Sequence, residues 1–195
     1  MARTDTARLF AALAVPETDA ERLGAWARQV ARAGRTREGP GWLRVLASES
    51  VHLTLVFLGE RPLSELDVLA EALQEAAGPF WPMEVELGAP LWLPPRRPRA
   101  LAVEARERTG ALERLQGAVS GSLWQACGES APHSRFRAHV TIARTKAAGR
   151  VRGELPVTPA VRFRVEEVLL FRSRLEPEGA RYERLVGAQL AGMAP

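Results

Sequence analysis

The chain has 195 residues, 46% of them apolar and 26% charged, which is globular composition and enough chain for one large domain or two small lobes sharing a core. Its net charge is +4 and Lys146 is its only lysine, so nearly all the positive charge is arginine; such a balance fits GC-rich coding bias or a protein built for a warm or stressful niche, and the functional alternative is affinity for an anion, nucleic acid or a phosphate group. No apolar run approaches the roughly 20 residues of a membrane span, and the single cysteine, Cys127, excludes an internal disulfide and a cysteine-based zinc site.

In chain order, "RLFAALAV" (8–15) reads as a buried first strand and not as a signal peptide, because no small-residue cleavage site follows it. Pro16 opens a helix through Ala33, with Leu23, Trp26 and Val30 on one face. "GRTREGPG" is a polar loop, "WLRVL" (42–46) a short strand and "SVHLTLVFLG" a longer one. Ser64 with Asp67 reads as a capping box for a helix through Ala77, stopped by Gly78 and Pro79.

The order then repeats. "MEVELGAP" is strand-like, "PPRRPR" is a basic loop and "ALAVEA" (100–105) is a strand. Thr109 is placed to cap a helix with Leu112, Leu115, Val119 and Leu123 on one side, ending near Gly128. "RAHVTIART" (137–145) is a strand, and "VRFRVEEVLLFRSRL" and "ARYERLVGAQL" form a hairpin around "EPEGA". This alternation suits two α+β lobes packed side by side, within a single domain spanning 1–195.

Two strands carry the same four-residue pattern: His52-Leu53-Thr54-Leu55 and His139-Val140-Thr141-Ile142. The chain has three histidines and threonine fills 9 of its 195 positions, so two histidines with threonine two residues on are not expected by chance. Strand side chains alternate faces. His52 and Thr54 therefore share one face while Leu53, Leu55 and Phe57 point to a core; His139 and Thr141 share a face with Val140 and Ile142 inward. Each strand then offers an imidazole and a hydroxyl about 7 Å apart. A paired acid and base suits cleavage of a phosphodiester: one imidazole takes a proton from water, the other gives one to the leaving oxygen, and hydroxyls hold the phosphoryl oxygens. His133 lacks the threonine and reads as a surface histidine. Cys127 reads as a structural thiol. No ligand spacing for a metal and no phosphate-binding glycine loop is present, so no cofactor is expected.

The motifs, with "RLFAALAVP", "HLTLVFLGE", "PPRRPRALAV", "FRAHVTIAR" and "LLFRSRLEPEGARYERL", make the chain resemble the 2H phosphoesterases. Within them the match is to the RNA 2′,3′-cyclic phosphodiesterases, historically named 2′-5′ RNA ligases. The resemblance covers nearly the whole chain; Ala138 departs from the proline common before the second histidine. It implies a bilobal α+β fold of two antiparallel sheets, pseudo-twofold related and backed by helices, with both motifs facing a central cleft. It implies that His139 is the general base and His52 the general acid, that the product is a 2′-phosphate, and that Arg144 attends the phosphate. Strict alternation puts Arg144 on the face opposite His139, so only a bulge or the strand end brings it to the site. Arg96, Arg97 and Arg99 are candidates to follow an RNA backbone, and Phe10, Trp42 and Trp92 to stack a base, against the alternatives of a surface loop and core packing. The expected partner is RNA with a 2′,3′-cyclic phosphate end, or a cyclic nucleotide, bound by a cytoplasmic monomer. A non-catalytic phosphate-binding module and reverse 2′-5′ joining of tRNA-half-like ends are the competing readings.

Overall fold

The computed structural model of the protein describes residues 5–33, 42–133, 135–145, 155–176 and 179–193. The loop at 34–41 and residues 177–178 of the hairpin tip lie outside them. The strands are β1 (Thr6–Ala14), β2 (Leu43–Val45), β3 (His52–Pro62), β4 (Met83–Leu93), β5 (Ala100–Arg106), β6 (His139–Thr145), β7 (Arg162–Val165), β8 (Glu167–Glu176) and β9 (Gly179–Gln189). The helices are α1 (Glu17–Ala33), α2 (Leu66–Ala77) and α3 (Ala111–Ala126).

Where two separate sheets were expected, the strands form one. Its order is β7-β4-β5-β6-β3-β1-β8-β9, with β2 added on β6. The motif strands β3 and β6 are the innermost of the two halves, and the halves join through a single pair, Leu53 opposite Val140. The long run at 161–175 is likewise two strands: β7 pairs with β4 and β8 with β1, so the chain crosses from one half to the other at Glu166.

The helices cover the face opposite the histidines. Leu23, Trp26 and Val30 of α1 are buried, as are Leu112, Leu115, Val119 and Leu123 of α3, and both sets join Leu53, Leu55, Val140 and Ile142 in one core. The packing crosses the halves: α1 follows β1 in the chain but lies on β6, and α3 follows β5 but lies on β3. Each motif strand is thus held from behind by a helix from the other half of the sequence.

Both expected helix caps are different groups. A single 3-10 turn, Leu63–Glu65, precedes α2, and the cap position is Glu65 instead of Ser64, with no side-chain cap hydrogen bond. At α3 the cap is Gly110, at φ 73°, a conformation that glycine adopts without strain. The Glu107 carboxylate accepts from the backbone N–H of Thr109 (2.9 Å) and Ala111 (2.6 Å), supplying what Thr109 was expected to supply.

Candidate active site

β3 and β6 are extended because β-branched and aliphatic residues alternate with the polar positions of the motif. Their burial runs in step. His52 and Thr54 are half-buried with Leu53 and Leu55 inside; His139 and Thr141 are half-buried with Val140 and Ile142 inside. The Leu53–Val140 pair is antiparallel. Continued one residue each way, its register sets His52 opposite Thr141 and Thr54 opposite His139. The two histidines are then diagonal partners, a relation that in a regular ladder spans roughly 7–8 Å, enough for a phosphoryl group between the rings.

Alternation then breaks at the same place in both strands. Against β1, β3 has an extra residue at Leu55, and against β5, β6 has one at Ile142. Each is the third residue after the histidine, and the following residues, Val56 and Ala143, are also buried. These bulges return the next side chain to the histidine face. Phe57, expected in the core, is 65% exposed. Arg144 is exposed and lies on the same face as His139. The two strands therefore place an aromatic ring and a guanidinium at equivalent points.

His52, Thr54, Phe57, His139, Thr141 and Arg144 line one cavity of about 670 Å³. Nδ1 of His52 lies 2.9 Å from the Ser50 carbonyl, and Nδ1 of His139 lies 2.7 Å from the Arg137 carbonyl. A carbonyl only accepts, so each Nδ1 carries the proton and donates it two residues back along its own chain. Each ring is thereby oriented with Nε2 as the nitrogen left for chemistry.

The surroundings of the two rings differ. His52 packs against Phe10 (centroids 4.9 Å apart) and edge-on to Tyr182 (5.0 Å), with Phe171 at 6.2 Å. Burial pulls its pKa down to about 4, against the Ser50 hydrogen bond, with Arg144 and His139 adding to the fall. His139 sits opposite Glu104 in the β5–β6 pair. That carboxylate is taken by Arg106 (2.8 Å) and Arg137 (3.3 Å), whose bonds hold its pKa below the usual range.

Of the remaining candidates, Phe10 is buried against His52 and lines the cavity, while Trp42 is buried and Trp92 packs on it at 5.8 Å. Arg99 reaches the cavity; Arg96 and Arg97 do not line it. His133 is exposed. Cys127 is partly buried, and that burial pushes its thiol pKa up, away from nucleophilic character. Among the described residues no cluster of three or more His, Cys, Asp or Glu side chains forms a possible metal site. Among them, too, no helix is long and apolar enough to cross a membrane. Sequence reading missed Phe57 and Tyr182; the signal for Tyr182 was its being the sole tyrosine.

The sequence profile of the 2′-5′ RNA ligase superfamily matches residues 16–176. The chain belongs to that superfamily. It is 33% identical to an RNA 2′,3′-cyclic phosphodiesterase of Thermus thermophilus, over 95% of this chain and 91% of that one. Among solved structures, TT0787 of Thermus thermophilus superposes with a TM-score of 0.76 at 27% identity, covering 96% of this chain and all of its own (100%). E. coli LigT complexed with 3′-AMP superposes at 0.73 with 21% identity, over 95% and 99% of the two chains; that likeness is one of fold. Membership agrees with the resemblance carried by the paired motifs.

Proposed function

We propose that the protein hydrolyses 2′,3′-cyclic phosphodiester ends of RNA to 2′-phosphomonoesters by acid–base catalysis between two histidines, without a metal. One observation carries the reading: two imidazoles and two threonines from strands far apart in sequence line one cavity, each ring oriented through Nδ1. The name of the Thermus relative supports the substrate class.

In this reading a water attacks phosphorus and His139 Nε2 takes its proton. The bond from phosphorus to the 3′ oxygen breaks opposite the entering water, and His52 Nε2–H protonates that oxygen. The 2′ oxygen keeps the phosphate. Thr54 and Thr141 donate to the equatorial oxygens, where charge gathers in the transition state. Arg144 balances the negative charge. The histidines end with exchanged protonation and reset with solvent. Burial leaves His52 neutral at pH 7, so the acid role draws on the substrate: an anionic phosphodiester beside the ring favours its protonated form.

That same low pKa favours a second reading, in which the polarity is reversed: His52 takes the proton from water, His139 gives one to the 2′ oxygen, and the product is a 3′-phosphate. The deciding experiment supplies a nucleoside 2′,3′-cyclic phosphate with EDTA and identifies the product isomer. A 2′-phosphate supports the first reading and a 3′-phosphate the second. Binding without turnover at any pH between about 5 and 8 sinks both in favour of a binding module. Reverse joining of RNA ends through a 2′-5′ linkage uses the same groups, but water at about 55 M outcompetes a ribose hydroxyl unless bound RNA supplies a large effective molarity; hydrolysis therefore dominates.

A further inference from the structure

Each motif histidine is aimed by a carbonyl two residues before it, and the two carbonyls are held in different ways. Ser50 is buried at the end of a 3-10 turn, Ser48–Ser50. Its N–H donates to the Ala47 carbonyl (2.9 Å), and Val51 N–H donates to the Ser48 carbonyl (3.1 Å). The local backbone thus fixes the group that aims His52. Arg137 is exposed and precedes β6 in a stretch without regular structure. Among the described residues no backbone–backbone hydrogen bond involves Arg137, and Ala138 leaves its φ unrestrained where a proline would fix it.

What holds Arg137 is its side chain. Its Nη2 donates to Oε1 of Glu104 (3.3 Å). Glu104 stands directly opposite His139 in the β5–β6 pair, so the two side chains share a face. Its other oxygen, Oε2, accepts from Nη2 of Arg106 (2.8 Å), two residues along the same strand. The carboxylate is thereby fixed to β5 through one oxygen and grips Arg137 with the other. Next to it, Ala105 N–H donates to the Ala138 carbonyl (3.0 Å) and ties the same stretch to the same strand. Glu104 does not line the cavity, so its effect on the site runs through Arg137.

We propose that Glu104 is a positioning residue for His139: it holds the Arg137 side chain, and through it the Arg137 carbonyl that accepts the Nδ1 proton and leaves Nε2 open to the cleft. This rests on the phosphodiesterase reading for what the ring does, and not for how the ring is held. An imidazole without its Nδ1 acceptor is able to carry its proton on Nε2 instead, and a ring in that form takes no proton from water there. The charged and titratable groups around His139 are Glu104, Arg106, Arg137, Arg144 and His52. Removing Glu104 alters their balance as well as the grip on Arg137. The ratio of the two neutral forms of the ring separates these effects, because it reads where the proton sits and not whether the ring is charged.

The test is the nitrogen NMR spectrum of the histidine rings at about pH 8, where an ordinary imidazole is neutral; it does not depend on turnover. His52, held by Ser50, and the exposed His133 serve as references within the same spectrum. In the wild type His139 should show the Nδ1–H form, as His52 does. In Glu104→Gln, and in Arg137→Gln, which keeps the carbonyl, His139 should move toward the pattern of His133 while His52 stays. In both, kcat on a 2′,3′-cyclic nucleotide should fall about fivefold with KM within about twofold, because an ion pair this exposed is a weak restraint. The double variant should be no slower than the slower single. Thermal melts check folding, and Arg137→Gln, a surface change, carries the prediction if Glu104→Gln does not fold. A His139 pattern that stays at wild type in the variants overturns the proposal, even if kcat falls. So does a shift of His52 alongside His139, which would mean general loosening, or losses that multiply in the double variant. A moved His139 with kcat unchanged sinks the base role of that ring, and one in a protein that turns over no cyclic nucleotide sinks the phosphodiesterase reading; in both cases the role of Glu104 in holding the ring stands.

Discussion

The two motif strands have the same sequence pattern, the same burial order, the same ring hydrogen bond and the same bulge, yet they set their histidines in opposite surroundings. His52 is enclosed by Phe10, Phe171 and Tyr182. His139 lies among charged neighbours, opposite a Glu104 held by Arg106 and Arg137. The motif therefore positions the groups, and the neighbouring strands set the surroundings of each ring. One half contributes rings and a low pKa; the other contributes charge. The proposed division into acid and base calls for unlike surroundings, since nothing would distinguish two imidazoles in identical ones.

The largest effect expected is the one that destroys what the halves share. His52→Ala and His139→Ala should each lower kcat on a 2′,3′-cyclic nucleotide by about 10²–10⁴-fold. The double variant should fall little further, because the two groups act in one step. Steady-state rates in EDTA check this, and wild-type turnover in either single variant would remove the two-histidine mechanism.

A second experiment isolates what they do not share. The native His52 pKa is about 4, below the 6.5 of an ordinary histidine, so between those values the unfolded chain binds the extra proton. Stability should be whole above pH 6.5 and decline as pH falls toward 4, by up to about 3 kcal/mol at this site. Denaturant melts at pH 7 and pH 4 measure the decline. His52→Gln should show a smaller one; the carboxylates of Glu104 and Glu107, both held below their usual range, act alike in both proteins. An identical decline in the variant would show that burial of this ring is not its source.

Much of this was legible in the sequence. Leu23, Trp26 and Val30 announce a buried helix face, and a histidine alternating with apolar residues announces its exposed side. Position along a strand failed only where partner strands intervene. Phe57 was expected in the core and Arg144 on the far face because counting by twos assumes an unbroken ladder. The extra residues at Leu55 and Ile142 exist only by reference to β1 and β5, which no local pattern records. The single sheet depends similarly on one pair, Leu53 with Val140, and the crossed seating of α1 and α3 on contacts remote in sequence. At the caps, Glu107 replaced Thr109 because a carboxylate three residues before the cap glycine reaches two N–H groups at once.

The bulges make Phe57 and Arg144 counterparts, so replacing each by alanine sharpens the contrast between the halves. Arg144→Ala should lower kcat/KM by about 10–100-fold through lost charge on the phosphate, an effect that added salt reduces. Phe57→Ala should act mainly on KM, by about 5–50-fold, because an exposed ring on the cleft wall offers a base a stacking face. Its effect should survive salt. If both variants respond to salt in the same way, the two ends of the cavity are not chemically distinct.

The smallest effect concerns the threonines, where the halves are most alike. Thr54→Val and Thr141→Val remove a hydroxyl while keeping shape and strand preference. A buried oxyanion donor contributes about 10²–10³ in kcat. These hydroxyls line a cleft open to water and are only half-buried, so each should contribute less, about tenfold in kcat with KM nearly constant. By register Thr54 stands opposite His139 and Thr141 opposite His52, so each hydroxyl faces the other strand's ring. If they hold different phosphoryl oxygens, their losses should multiply in the double variant to about a hundredfold. If both bind one oxygen, the double should match the worse single. An unchanged kcat in both singles would mean that the second polar residue of the motif supports the strand and not the phosphate.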